Sequence, residues 1–190
     1  MTSYLWYFMF NFFLYGVIGW IIEEVYCFAV TGHFQEDGFL YGPFKPMYAI
    51  AMSILILLQD TFWLPALLLL IPCAIVPTTV EYLSGVLTRH VFHKDYWDYH
   101  HLKFNFQGLI CLQFSIYWTF LTYIGIQYVQ PFIRHFYELN FSTWFVISPF
   151  LIMAFLLDEI LTIRKHVIMN GITIDQKKWG QMYASCWAHA

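Results

Sequence analysis

The 190-residue chain is 60% hydrophobic and 22% aromatic, only 11% of it is charged, and its mean hydropathy is +0.58. Soluble domains carry about 25% charged residues, so this chain lacks the polar surface a water-soluble globule needs. A net charge of −3, with no basic cluster interleaved with aromatics, excludes a nucleic-acid partner.

The sequence predicts an all-α, polytopic transmembrane helical bundle of about five spans. They lie near residues 5–30, 44–58, 62–87, 108–133 and 142–163, each close to the ~20 apolar residues a crossing requires. Residues 1–167 form this bundle and 168–190 a cytoplasmic tail. The N-terminus has no positive n-region and no small-residue cleavage site, so the first apolar segment is expected to stay in the mature protein.

Span one begins with Tyr4, Trp6 and Tyr7, suited to a membrane interface, and is interrupted late by Glu23 and Glu24. The loop that follows, Thr31 to Met47, is broken by Gly38, Gly42, Pro43 and Pro46. Its centre, Phe39-Leu40-Tyr41, is apolar and aromatic, which predicts a loop folded back onto the membrane or into a cavity. Gln59-Asp60 reads as the turn between spans two and three. Pro65 suits the first turn of span three, and Pro72 and Pro77 fall in its interior. A broken helix persists in lipid only where protein or water satisfies the freed carbonyls. Glu81 follows one turn after Pro77, and Gly85 lets another segment approach the same face.

A second loop, Arg89 to Gln107, holds His90, His93, His100, His101, Asp95 and Asp98 among Tyr96, Trp97 and Tyr99. Span four carries Gln113, Ser115, Thr119, Thr122 and Gln127. Arg134 to Phe141 reads as a short loop, and Asp158-Glu159 closes span five. In the tail, Asp175 is a plausible N-cap for a short amphipathic helix. Trp179, Met182, Tyr183, Cys186 and Trp187 share one face of it, opposite Lys177, Lys178, Gln181 and Ser185. Cys27, Cys73 and Cys111 fall within hydrophobic segments at no metal-like spacing and read as small packing residues.

Eight basic residues (Lys45, Arg89, Lys94, Lys103, Arg164, Lys165, Lys177 and Lys178) fall on one side of this topology and only Arg134 on the other. The positive-inside rule then sets the N-terminus outside and the C-terminus in the cytoplasm of a multi-pass membrane protein. The Asn140-Phe141-Ser142 sequon would lie on the outer side, close to span five.

Carboxylates within spans cost about 2.5–3.5 kcal/mol at the centre and usually face the bundle interior or water. Glu23, Glu24 and Glu81 are read either as interface residues reaching water or as the lining of one polar cavity that takes a cation, a proton or a cationic head group. Asp158 and Glu159, beside Arg164 and Lys165, fit the interface reading. Tyr41 in the first loop, with Trp97, Asp98 and Asn105 in the second, completes the candidate substrate-binding set. His90 and His93 are three residues apart, which allows transition-metal ligation, but no HExxH or CxxC pattern accompanies them. There is no phosphate loop, dinucleotide fingerprint or nucleophile elbow, so the chain itself carries no cofactor, and any ATP acts through a partner.

Phe13-Leu14-Tyr15 with Gly19-Trp20 and Glu23-Glu24, GFLYGPFKPMY from Gly38, VEYLSG from Val80, YWDYH from Tyr96, FNFQGLICL from Phe104, and Ser115 with Trp118 occur in that order. In this the chain resembles the bacterial membrane family of ABC-transporter permeases of the CmpB type (ABC-transporter type IV), over about Asn11 to Pro131. Lys45 and the His100-His101 pair depart from the expected pattern. The resemblance implies a transport component, permease-like or substrate-binding, working with a separate ATPase subunit in the lipid bilayer, and possible as a homo-oligomer. It carries over no catalytic residue. Two other classes fit the same composition. One is a lipid-handling membrane enzyme using Glu81, His90, His93 and Asp98 for acid–base work. The other is a non-catalytic scaffold or regulator.

Overall fold

The computed structural model describes residues 2–35 and 39–171, with side chains described from residue 4 to residue 165. Residues 172–190 lie outside that range, and the tail helix with them. Helix α1 spans Thr2–Thr31, α2 Pro46–Phe62 and α3 Ala66–Val91. A small hairpin follows, β1 (Asn105–Phe106) against β2 (Ile110–Cys111), pairing Asn105 with Cys111. Helix α4 (Leu112–Ile124) runs through a π-helical turn at Gly125–Val129 into α5 (Gln130–Leu139), and α6 covers Phe141–Gly171. The all-α class is therefore confirmed, with a two-residue ribbon as its only β structure among the described residues. Helices α1, α3 and α6 are each long and apolar enough to cross a membrane, and α2 is a shorter apolar helix.

Close approach of α1 and α2 sets the bundle. Gly16 and Gly19 sit one turn apart on α1, and a Cβ at either would collide with the ring of Phe44 or Tyr48. The missing side chains let Lys45 N–H bond the Gly16 carbonyl at 2.9 Å. Leu40 and Phe44 are buried, and Phe44 stacks among Phe12, Phe13 and Phe155. The first loop thus folds into the bundle, as its apolar centre predicts. Asp158 of α6 clamps it by accepting the Tyr41 and Gly42 N–H groups at 3.0 and 2.8 Å. Asp158 is accordingly a loop anchor and not simply a carboxylate reaching interfacial water.

Helix α3 stays continuous through both prolines. Pro77 has no N–H to give the Cys73 carbonyl, and Thr122 Oγ1 of α4 lies 3.4 Å from that oxygen while its single hydrogen also faces the Trp118 carbonyl at 2.8 Å. A neighbouring helix thus brings a shared donor to the freed group.

Three boundaries differ from the sequence reading. Gln59-Asp60 is helical, not a turn; α2 ends at Phe62, where Trp63 takes a left-handed backbone (φ 48°) before the break at Pro65. Pro65 caps α3 and does not lie within its first turn. Asp60 is held in α2 by its ion pair with Arg134. Residues 134–139 are likewise helical, and the turn sits at Asn140, whose backbone and side-chain nitrogens both bond the Phe136 carbonyl. The fourth segment starts at Leu112, not 108, because Phe104 to Cys111 is consumed by the hairpin. Its π turn ends two residues before Pro131, whose missing N–H weakens the regular ladder there. Cys73 and Cys111 are buried free thiols, and Cys27 is buried as well.

Candidate functional site

Glu81 is 3% exposed on the face of α3 that meets the hairpin. One carboxyl oxygen accepts the Tyr99 hydroxyl at 3.0 Å. Trp118 approaches the same carboxyl, and Glu23 of α1 is close enough to interact with it electrostatically. The second oxygen, Oε2, makes no hydrogen bond of good geometry, although the Trp118 indole is near enough to favour the charged carboxyl. It is the only carboxylate oxygen in that state among the buried side-chain atoms of the described residues. A buried charged group so incompletely bonded is expensive, so the position calls for an explanation.

Glu23 is also buried, and it is ion-paired with Lys45, whose Nζ also donates to Gln35 Oε1 at 2.9 Å. Glu24, buried beside it, accepts the Gln35 N–H at 3.0 Å. Three carboxylates therefore share the region with one paired ammonium. Lys45 is the residue that lets Glu23 be buried.

Between α1, α2 and α4, beneath Tyr99, lies a cavity of about 110 Å³. Glu23, Tyr26, Tyr48, Tyr99, Phe114, Tyr117 and Trp118 line it, with Ile22 and Leu121. Its rings brace one another: Tyr48 against Trp118 at 4.6 Å, Tyr99 stacked on Phe114 at 4.8 Å, and Phe114 edge-on to Tyr117 at 5.7 Å. Phe114, Tyr117, Trp118 and Leu121 recur at the i, i+3, i+4, i+7 spacing of one helical face. That spacing is the signal that the sequence reading passed over.

The hairpin holds Tyr99 over Glu81. Trp97 Nε1 donates to the Leu109 carbonyl at 2.8 Å, and both side chains lie where a Cβ on Gly85 would intrude. Gly85 does admit a neighbour, though the neighbour is a pair of side chains. Asn105 ties the turn together through the Leu102 carbonyl at 2.8 Å and the Gly108 N–H at 3.3 Å. Arg89 links the two ends of the loop, to Asp95 at 2.7 Å and to the Gln107 carbonyl at 3.1 Å. Asp98 is half exposed and accepts from the His100 backbone N–H and ring. Partial burial pushes its carboxyl upward, but the His100 backbone and ring and the His101 charge outweigh this and hold it below its ordinary range.

The structure thus brings Glu23 and Glu81 together, turns Glu24 to the Gln35 N–H, and sets Trp97 and Asn105 in the hairpin as supports. Asp98 lies in the same loop, facing His100. Tyr41 is elsewhere: exposed, with Lys165 Nζ 4.8 Å from its ring centre, on a groove shared with Ala154, Leu157 and Leu161. No group of three or more metal-ligating side chains forms among the described residues, so His90 and His93 are not joined into a metal centre there. His93 takes a left-handed backbone (φ 52°) just past the end of α3.

A family model described as "Putative ABC-transporter type IV" matches residues 10–163. The chain belongs to this family. The match takes in every element of the site, from Glu23 on α1 to Trp118 on α4, and also the Asp158 clamp. No curated protein and no solved structure matches the chain significantly. The family name and the apolar helices make it an ABC-transporter-related membrane protein.

Proposed function

We propose that this type IV protein is the membrane subunit of a transport system, permease-like or substrate-binding, that takes a small molecule into the cavity between α1, α2 and α4. The observation that carries the reading is Glu81: a carboxylate buried at the end of a span, half satisfied by Tyr99, directly behind a cavity already lined by Glu23. Intramembrane carboxylates of this kind mark ligand or ion pathways.

In this reading the five helical rods each cross the bacterial cytoplasmic membrane, with the N-terminus outside and the cavity near the cytoplasmic end. The direction rests on the excess of Lys and Arg on that side. Energy comes from a separate ATPase. The acid–base alternative is less well supported, because Asp98 is engaged with His100 and Glu81 with Tyr99.

The test is mild purification with native lipids, followed by mass spectrometry of everything retained, for wild type and Glu81→Gln. A stoichiometric ATPase in both preparations, with a small molecule lost only from the variant, is the expected result. A wild-type protein with no ATPase partner, and the same retained molecules as Glu81→Gln, would overturn the proposal.

A further inference from the structure

The chemistry of the cavity wall narrows the ligand class. Five aromatic side chains (Tyr26, Tyr48, Phe114, Tyr117 and Trp118) come from three helices and surround one small volume. Aromatic faces carry negative quadrupole density and attract cations, with Trp the strongest. Glu23 in the wall is balanced by Lys45, and Glu81 lies behind Tyr99, so the net fixed charge has the same sign as the ring faces. An anion would meet repulsion on every side. A bare divalent metal would need three or more oxygen, nitrogen or sulfur ligands, and no such group forms among the described residues. A primary ammonium carries three N–H donors that all need acceptors. Here Glu23 is already taken by Lys45, and the rest of the wall is mostly carbon. A methylated ammonium needs ring faces and a nearby negative charge, and no acceptors at all. The volume agrees: about 110 Å³ is the space of roughly four waters at about 30 Å³ each, which suits a compact head group and not a nucleotide or peptide.

We infer that the cavity binds a small quaternary ammonium group of the choline type, wrapped by Tyr26, Tyr48, Phe114, Tyr117 and Trp118 and neutralised by Glu81. This deepens the transport reading and rests on it. The positive charge sits against Trp118 and Tyr48, and its field reaches Glu81 Oε2. Tyr99 acts as a positioning residue that holds the carboxyl against the cavity.

The experiment is calorimetric titration of the full-length protein in nanodiscs of phosphatidylethanolamine and phosphatidylglycerol. The probes are choline and its neutral isostere 3,3-dimethylbutan-1-ol, which replaces N⁺ by carbon. Choline is expected to bind about tenfold or more tightly than the isostere, the scale of a desolvated cation–aromatic contact. Trp118→Leu is expected to lose most of that preference and Trp118→Phe to keep part of it. Glu81→Gln, which retains an acceptor for Tyr99, is expected to weaken choline but not the isostere.

Repeating the titration in phosphatidylcholine discs separates the two sources of the group. Weaker binding of free choline there identifies the lipid head group as ligand, and unchanged binding identifies a free solute. Equal affinity for choline and its isostere would overturn the cation class while leaving a ligand-binding cavity. No binding of either probe would overturn this inference, while the ATPase co-purification judges the transport reading separately.

Discussion

Two buried polar clusters share helix α1, and they are built on opposite principles. The first joins Asn11 and Tyr15 to Gln130 of α5. Gln130 Oε1 accepts the Tyr15 hydroxyl at 2.6 Å, and its Nε2 donates to Tyr7 Oη at 2.8 Å and Asn11 Oδ1 at 2.7 Å. Asn11 Nδ2 closes onto the Tyr7 carbonyl at 2.8 Å. Both hydrogens and the oxygen of the Gln130 amide are used. The second cluster begins at Glu23, about 12 Å further along the helix at 1.5 Å per residue. It holds charge instead of neutral amides, borders a cavity, and leaves Glu81 Oε2 without a hydrogen bond of good geometry. A completed network rigidifies a bundle, and an incomplete one beside a cavity keeps free energy available for a ligand. The contrast separates what holds this protein together from what it binds.

The largest effect is expected where the clusters share a backbone. Gly19 lies between them against the Tyr48 ring, and Gly19→Leu would drive α2 off α1. Overpacking costs about 1–3 kcal/mol, and more where the obstacle cannot move. Little monodisperse protein should survive size-exclusion chromatography in detergent. Gln130→Leu comes next. It leaves Asn11, Tyr7 and Tyr15 short of partners, at a cost of about 1–3 kcal/mol, read as a lower Tm in detergent. Thr122→Val is smaller, since it removes one hydroxyl shared between the Trp118 and Cys73 carbonyls. Membrane hydrogen bonds average about 0.6 kcal/mol and reach about 1.7, so a Tm drop well below that of Gln130→Leu is expected.

The smallest effect lies outside the bundle, at Asp98. Its folded-state pKa is the depressed one, so the stability it contributes is complete above the unfolded value of about 3.9 and is lost as pH falls through the lower folded value. Limited proteolysis of the hairpin should therefore stay flat from about pH 7 to about pH 4 and rise only below that. Asp98→Asn should remove the acid-side rise and leave the cavity unchanged.

Much of this was legible in the sequence. The apolar segments, the carboxylates within them and the aromatic first loop needed only composition and spacing. The Pro77 break even implied a donor for Cys73, though not that Thr122 supplies it, because helix pairing is a tertiary fact. The hairpin was missed because two-residue strands leave no alternating pattern, and their turns use positive φ at Phe104 and Gln107 rather than at glycine alone. The π turn was missed because nothing in Gly125–Val129 distinguishes it from α-helix. Glu23, Glu24 and Glu81 were legible as a group because charge in a span is conspicuous. Tyr48, Phe114, Tyr117 and Trp118 were not, because an aromatic in this chain looks like every other aromatic until a cavity is seen beside it.

The decisive measurement is the melting temperature of wild type, Glu81→Gln and Gln130→Leu in nanodiscs, each with and without saturating choline. Gln130→Leu should melt lower than wild type and keep the choline-induced rise. Glu81→Gln should melt close to wild type and lose that rise. A Glu81→Gln protein that melts far below wild type yet is still stabilised by choline would contradict the account, because Glu81 would then be part of the scaffold and not of the site.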